Sequence, residues 1–296
     1  MTPQELLSKQ IVIGRRVESA SSVKTHKQCP RKYYYSYVET LPTKPSIHLV
    51  RGSVVHEVLE NVYDGDWSNV TWDSCEQELT IRSQKSLIEK WRNSLPIFAR
   101  VGLDQEELIT YFEETLRMLT EWARKQATFL KHYQSLGTFP DVFATLTPIR
   151  EEEYVSQRYG LRGYVDALQT LPNGKKRIID YKTNKRIDLA DHELQLSMYA
   201  LLYHEKNGTL PDEVGVHFLR EGEQTIKTSQ EHLINAIQAL EDIHARTTSN
   251  EKTDYNKNVT RLCDYCDYRK MCFHGQTTDE YKKEFDVPLS LSEEKV

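Results

Sequence analysis

Two aspartates in neighbouring predicted strands are the first candidates for chemistry in this sequence. Asp166 follows the β-type run 161–165, Asp180 follows the run 177–179, and a Pro-Asn-Gly turn at 172–174 joins the two runs as a hairpin. Two carboxylates about 4 Å apart repel each other by roughly 4 kcal/mol at an effective dielectric of 20. A site that keeps both of them ionised therefore suits a hard divalent cation such as Mg²⁺ or Mn²⁺.

A lysine lies two positions after the second aspartate. Because alternate residues of a strand project from one face, Asp180 and Lys182 point the same way. One of them can hold a metal while the other orients a water or meets a phosphate oxygen, which is the chemistry of metal-assisted phosphodiester hydrolysis. Taken alone, the Asp-x-Lys pair has an alternative interpretation as a structural ion pair on a strand.

The spacing of the cysteines predicts a second metal site. Cys263, Cys266 and Cys272 lie within ten residues, and Cys29 lies far upstream. Five cysteines is an odd number, and thiols this close in a cytosolic chain favour a metal over a disulfide framework. Four thiolates suit either a [4Fe–4S] cluster or tetrahedral Zn²⁺, and the number of ligands does not choose between them. The fifth, Cys75, is most simply a core thiol.

Hydrophobic periodicity indicates the elements that must position these residues. A helix is predicted from about Ser22 with a break at Pro30, and an amphipathic helix with Ser53 as its N-cap carries His56. Together the elements predict an α/β fold, a mixed sheet flanked by helices, with a helical insertion before the first strand. Further helices are predicted within 66–137, at 189–206 and at 230–246, and strands at 151–158, 161–171, 177–181 and 214–219.

Length and composition limit the class of protein. With 296 residues, 38% of them apolar, the chain can form one large domain or two small ones. It lacks the run of roughly 18 apolar residues that a membrane span needs, and its first residues lack the apolar core of a signal peptide. We therefore expect a cytoplasmic, nucleoid-associated protein with no membrane partner.

The overall charge does not favour nucleic acid, so any such binding must depend on local basic patches. The net charge is −5, from 39 Lys and Arg against 44 Asp and Glu. One basic patch runs over 175–186, and another contains Lys24, Lys27, Arg31 and Lys32 without an acid. A solvated face is the alternative interpretation of either patch on its own.

Several short motifs, taken in order, resemble one nuclease family. They begin at 19–23 and continue with Cys29-Pro-Arg-Lys-Tyr-Tyr-Tyr, Arg51-Gly-Ser-Val-Val-His56, Gly163-Tyr-Val-Asp166, Asp180-Tyr-Lys-Thr183, Gln195-Leu-Ser-Met-Tyr199 and Cys263-x2-Cys266-x5-Cys272. The set resembles the RecB-like branch of the PD-(D/E)XK nuclease superfamily. It is most similar to the iron–sulfur members, such as the CRISPR-associated RecB-like exonucleases and the AddB nuclease domain. The resemblance implies a restriction-endonuclease-like core and leaves only the helical insertion unmatched.

The resemblance also implies roles for individual residues at the hairpin. His56, Asp166, Asp180 and the main-chain carbonyl of Tyr181 would coordinate the catalytic Mg²⁺ or Mn²⁺, and Lys182 would be the catalytic lysine. Without the resemblance, His56 is more simply a polar residue beside an apolar helix stripe. Relatives often carry an acid on the first strand, where the glutamates at 151–153 are candidates that a solvated strand edge explains equally well.

Other implied roles concern nucleic acid and the cysteines. Gln195 and Tyr199, which share one face of a helix, would contact nucleic acid or shape the site. The cysteine spacing favours a [4Fe–4S] cluster over Zn²⁺, in a clasp that joins the two ends of the chain. This clasp would hold the basic patch of Lys24, Lys27, Arg31 and Lys32 beside the DNA.

These expectations combine into one functional hypothesis. We expect a single nuclease domain over 1–296, with a helical insertion at 66–140 and a cysteine cluster at 260–275. Its expected activity is that of a Mg²⁺- or Mn²⁺-dependent deoxyribonuclease, an exonuclease on single-stranded or frayed DNA ends in repair, recombination or CRISPR-type processing. The alternative is a catalytically silent DNA-binding or assembly subunit of a helicase–nuclease or integration complex. The sequence has no Gly-x4-Gly-Lys-[Ser/Thr] loop, so ATP-driven unwinding would need a helicase partner.

Overall fold

The computed structural model describes residues 9–184 and 188–285, and five strands in this part of the chain form one sheet. The strands are β1 (Ile149–Ser156), β2 (Leu161–Thr170), β3 (Lys176–Lys182), β4 (Glu213–Phe218) and β5 (Gly222–Lys227). The helices are α1 (Ala20–Gln28), α2 (Pro30–Tyr33), α3 (Ile47–Asn61), α4 (Cys75–Asn93), α5 (Leu95–Phe98), α6 (Gln105–Lys131), α7 (Phe139–Leu146), α8 (Glu193–Asn207), α9 (Gln230–Arg246), α10 (Arg269–Phe273) and α11 (Thr278–Lys283). None of the helices in the described ranges is both long and apolar enough to cross a membrane.

The strands lie side by side in the order of the sequence. The pairs β1–β2, β2–β3 and β4–β5 are antiparallel, whereas β3 and β4 are parallel. A parallel pair needs a long crossover, and α8 supplies it. The predicted fold class, a mixed sheet flanked by helices, is confirmed.

Helices cover both faces of the sheet. Side chains of α1, α8 and α9 pack with Val165 and Ile178 on one face. The other face carries Ala167 and Ile179 beneath α3 and the helices of the predicted insertion at 66–140. Residues of the predicted insertion therefore supply part of one of the two layers that bury the sheet.

Two helices begin earlier than the sequence predicts. The N-cap of α1 is Ser19, which exchanges hydrogen bonds with Ser22 in a capping box, so the predicted cap is instead the third helical residue. The N-cap of α3 is Ser46, and the prediction of Ser53 is wrong. Because Leu49 is 65% exposed, the apolar stripe becomes regular only after the first turn. The Ser53 hydroxyl donates to the Leu49 carbonyl inside the helix.

The sequence pattern does not predict β5 or α7. β5 is an edge strand of mainly exposed polar residues, so it lacks the apolar alternation that marks a strand. α7 is only eight residues long. The predicted basic patch over 175–186 is only partly described, because Lys185 and Arg186 lie outside the described residues.

The alternation of side chains along the sheet breaks where Glu151 opposes Asp166. β1 and β2 pair with the same register on either side of these two residues, which are themselves unpaired. Val165 and Ala167 are two positions apart, yet they pack on opposite faces. Glu151 has a φ of 46°, a left-handed conformation that costs a non-glycine residue of order 1 kcal/mol or more.

β2 and β3 separate at the same end of the hairpin. Their last paired residues are Ala167 and Ile179, so Asp166 and Asp180 lie one position beyond the ladder. In place of a ladder bond, the backbone N–H of Tyr181 donates to Asp166 Oδ2 over 2.7 Å. The diverging strands therefore form a notch that holds both carboxylates.

Candidate active site

α3 brings a histidine into this notch. His56 Nε2 lies 3.1 Å from the main-chain oxygen of Tyr181. Its other ring nitrogen, Nδ1, lies 3.4 Å from Asp166 Oδ2 and 3.6 Å from Glu151 Oε1. Ligand atoms of His56, Glu151 and Asp166 all lie within 4.8 Å of one another. The structure thus brings together three of the predicted metal ligands and adds a glutamate.

The charges in the notch are predominantly negative. Burial alone lowers the pKa of His56, but hydrogen bonds with Asp166 and Glu151 outweigh burial and raise that pKa to about 10. Burial, together with the charge of Asp166, raises the pKa of Asp180 above its usual range, although Lys182 acts in the opposite direction. Several oxygen atoms therefore surround the His56 ring. Oxygen atoms grouped in this way are also the ligands that a hard divalent cation prefers.

Asp180 and Lys182 project together, as the strand period predicts. Lys182 Nζ lies 2.5 Å from Asp180 Oδ2. Asp180 is only 2% exposed, and its other oxygen accepts a hydrogen bond of 2.9 Å from the side-chain amide of Gln195. The same amide donates to the hydroxyl of Tyr199 over 2.8 Å. Gln195 and Tyr199 therefore hold Asp180 from α8, and the buried Tyr199 ring presents little surface to a substrate.

Glu151 is the residue that sequence reasoning did not single out among three glutamates. Glu152 instead pairs with Lys206 over 2.6 Å, and Glu153 is exposed. Strict alternation would place Glu151 and Glu153 on the same face, so it could not separate them. The broken alternation at Glu151 turns its carboxylate toward His56, and the sequence carries no sign of that break.

Arg51 supports the same notch from α3. It is 2% exposed and donates to the main-chain oxygen of Thr183 over 3.4 Å and to Glu114 Oε2 over 3.2 Å. Thr183 directly follows Lys182, and Glu114 lies on α6. Arg51 therefore ties α3, the end of β3 and the insertion together around the site.

The family of the chain follows from its sequence as a whole. The pattern that defines the PD-(D/E)XK nuclease superfamily matches residues 18–273. The chain belongs to this superfamily. The matched region of this PD-(D/E)XK chain includes the notch, the predicted insertion at 66–140 and all five cysteines, from Cys29 to Cys272.

Two similar proteins accompany this match. A CRISPR-associated exonuclease Cas4 from Francisella tularensis subsp. novicida (strain U112) is 30% identical over 120 residues, which are 40% of this chain. The alignment spans 58% of that relative's length. The crystal structure of a candidate exonuclease from Eubacterium rectale superposes with a TM-score of 0.51 at 13% identity, over 90% of this chain and 89% of that one. At this identity the superposition shows a shared fold.

A cleft of about 740 Å³ leads to the notch in this PD-(D/E)XK chain. Glu57, Glu60 and Glu151 supply its acidic part, and His56 and Lys182 also line it. Basic and polar residues that line the rest of it are Lys24, His48, Arg51, Asn184 and His192. Because His56, Glu151 and Lys182 all line it, the cleft opens onto the notch.

The four predicted DNA-binding basic residues lie in different environments. Lys24 lines the cleft, and Lys27 is exposed on the same helix. Arg31 Nε donates to the main-chain oxygen of Tyr255 over 2.7 Å, and Lys32 Nζ lies 3.1 Å from the side-chain oxygen of Gln28. Of the four, Lys24 is the residue that the fold directs toward the notch.

The cysteines of the predicted clasp line one pocket in this PD-(D/E)XK chain. The pocket lies between the end of α1 and the segment 257–273, and its cysteines are Cys29, Cys263, Cys266 and Cys272. All four are free thiols, and burial raises the pKa of Cys266 and Cys272. Cys75 is fully buried in the insertion core, as expected of a core thiol.

Proposed function

We propose that this protein is a divalent-metal-dependent deoxyribonuclease that acts as an exonuclease on single-stranded or frayed DNA ends. The observation that carries the proposal is the convergence of His56, Glu151 and Asp166 within 4.8 Å, beside the Asp180–Lys182 pair. The donor set is one oxygen from each of three carboxylates, the main-chain oxygen of Tyr181 and the imidazole of His56. Such a set suits Mg²⁺ or Mn²⁺.

The residues present fit such a cation. His56, Glu151, Asp166 and Asp180 would hold it, together with the main-chain oxygen of Tyr181, which already lies 3.1 Å from His56 Nε2. When bound, the cation lowers the pKa of a water and offsets charge on the phosphate that is cleaved.

The protein's own groups supply the remaining steps. The Lys182 ammonium, fixed beside Asp180, donates to the attacking water or to a phosphate oxygen as negative charge develops. Gln195 holds Asp180 in place through the 2.9 Å hydrogen bond, so that little reorganisation is needed when the phosphate arrives. Arg51 fixes the backbone that follows Lys182.

Two observations support an action on strand ends. The similar protein from Francisella is named an exonuclease, and its name also supports a role in CRISPR-type DNA processing with partner proteins. The cleft volume of about 740 Å³ falls within the roughly 300–1,000 Å³ of pockets that enclose a small ligand. A few nucleotides of one strand fit such a cleft better than an intact duplex. The intact set of carboxylates and lysine disfavours a silent assembly subunit.

The decisive experiment compares end-labelled single and double strands with Mn²⁺, with Mg²⁺ and with EDTA. We expect the wild type to shorten single strands from an end only when a divalent cation is present, and Asp180→Asn to be inactive. Glu153→Gln is the control, because this exposed glutamate lies outside the notch. Undiminished digestion in EDTA or by Asp180→Asn would refute the proposal.

We further propose that Cys29, Cys263, Cys266 and Cys272 hold a [4Fe–4S] cluster that closes a single domain over 1–296. All four thiols line one pocket. The Cys-x2-Cys-x5-Cys spacing with an upstream cysteine resembles that of the iron–sulfur nucleases and supports the cluster over tetrahedral zinc.

The cofactor can be identified in protein purified without air. We expect a brown protein with an absorption band near ~400 nm and about four irons per chain. Cys263→Ser should lose the band. A colourless wild type with one zinc per chain would replace the cluster by the zinc alternative.

A further inference from the structure

The cleft that leads to the notch is lined by both acidic and basic side chains. Its acids include Glu57 and Glu60 from α3. Its basic side chains include Lys182, Lys24 from α1 and His192 from the turn before α8. A strand that enters this cleft is attracted by the basic side chains and repelled by the acids.

Lys24 is available for an anion. It is exposed, and in residues 9–184 and 188–285 its ammonium has neither an ion pair nor a hydrogen-bond partner. Lys182, by contrast, is engaged with Asp180 at 2.5 Å. A lysine that lines a cleft without a protein partner is suited to a phosphate group.

His192 lies in the same lining. It is 7% exposed, and its ring packs edge-on against Phe218 at 5.8 Å, which fixes its orientation. Burial lowers the pKa of His192, the positive charges of Lys182 and Lys24 act in the same direction, and the side chain of Gln195 acts in the opposite one. An imidazole carries at least one N–H donor in either protonation state.

We propose that Lys24 and His192 form a phosphate subsite that holds the phosphate next to the one that is cleaved. The inference builds on the proposed nuclease activity and assigns two residues that position the strand in the cleft. The bound group is a phosphate of a single strand, either a backbone linkage or the terminal phosphate. Lys24 supplies charge, His192 supplies a donor of fixed direction, and Lys182 remains with the cleaved phosphate.

The test measures binding of fluorescent eight-nucleotide single strands by anisotropy in EDTA, where cleavage does not interfere. One set of strands carries a single uncharged methylphosphonate at each linkage in turn, and another lacks the terminal phosphate. We expect one of these changes to weaken binding to the wild type about tenfold, but to weaken binding to Lys24→Ala less than twofold. The same change identifies the phosphate as internal or terminal.

Matched variants make the result specific. Lys24→Ala should weaken binding about tenfold and reduce the salt slope by about 0.7, as expected for one lost contact with a single strand. Lys85→Ala, which removes an exposed lysine from α4, should change binding less than twofold. His192→Asn should lower affinity while retaining the wild-type melting temperature.

Two outcomes would overturn the subsite. Equal losses for Lys24→Ala and Lys27→Ala would indicate a diffuse basic surface, and an unchanged methylphosphonate penalty in Lys24→Ala would place the contact elsewhere. Because binding is measured without a cation, a chain that binds through Lys24 but never cleaves DNA would refute the proposed activity and leave the subsite intact.

Discussion

The notch and the cysteine pocket both contain side chains that can bind metals, but the two differ in the secondary structure that supports them. The notch carboxylates extend from a sheet whose two faces are buried, and Asp180 is 2% exposed. Three of the four pocket cysteines lie in the segment 257–273, which is largely exposed and contains only short helical turns. Asn258 joins this segment to the end of α1, through bonds to Cys29 Sγ and to the Gln28 carbonyl. The comparison suggests that the fold shapes the notch, whereas the cysteine segment depends on what it binds.

Removing the proposed cluster should have the largest effect on stability and should leave the notch formed. A cross-link between residues 29 and 272 closes a loop of more than 200 residues, worth about 5 kcal/mol at most in chain entropy. We expect Cys263→Ser to expose amides of 257–273 to hydrogen exchange, while the Tyr181 amide bound to Asp166 stays protected. Equal loss of protection in both regions would contradict the view that the notch forms independently of the cluster.

Removing the ammonium from the notch should have a large effect on activity. Lys182→Ala should reduce the rate of cleavage about 10²–10³-fold, because a fixed positive group beside the phosphate is lost. Lys175→Ala, in the exposed turn before β3, is the control and should retain the wild-type rate. Initial rates on labelled single strands measure both, and equal rates for the two variants would contradict the assignment.

A comparison of Glu151 with Glu153 tests whether the strained part of β1 serves the metal site. The left-handed conformation of Glu151 directs its carboxylate toward His56. We expect Glu151→Gln to lower the affinity for Mn²⁺ and the cleavage rate by about 10–100-fold. Glu153→Gln, two residues along the same strand, should change both less than twofold. If Glu153→Gln is the more damaging variant, the broken alternation does not serve the metal site.

Gln195 should have the smallest effect, since it acts on Asp180 and not on the substrate. Gln195→Ala should reduce kcat by about tenfold and leave KM for the strand within about twofold. Steady-state kinetics separate the two constants. A variant with raised KM and unchanged kcat would instead indicate direct contact with nucleic acid.

The sequence predicts the parts of the site that follow a regular period. Asp180 and Lys182 share a face because strand residues two apart do so, and the structure places them 2.5 Å apart. His56 comes from α3, and only the resemblance to a family identifies it in advance, since no local period connects α3 with the hairpin. Glu151 could not be chosen, because its φ of 46° interrupts the period on which the prediction depends.

The central claim is that one divalent cation binds between α3 and the hairpin, and a Mn²⁺ titration by calorimetry tests it most directly. The account predicts one Mn²⁺ per chain in this site for the wild type and for Glu153→Gln, and an affinity at least about tenfold lower for His56→Ala and Asp166→Asn. Wild-type affinity in both His56→Ala and Asp166→Asn would contradict the claim.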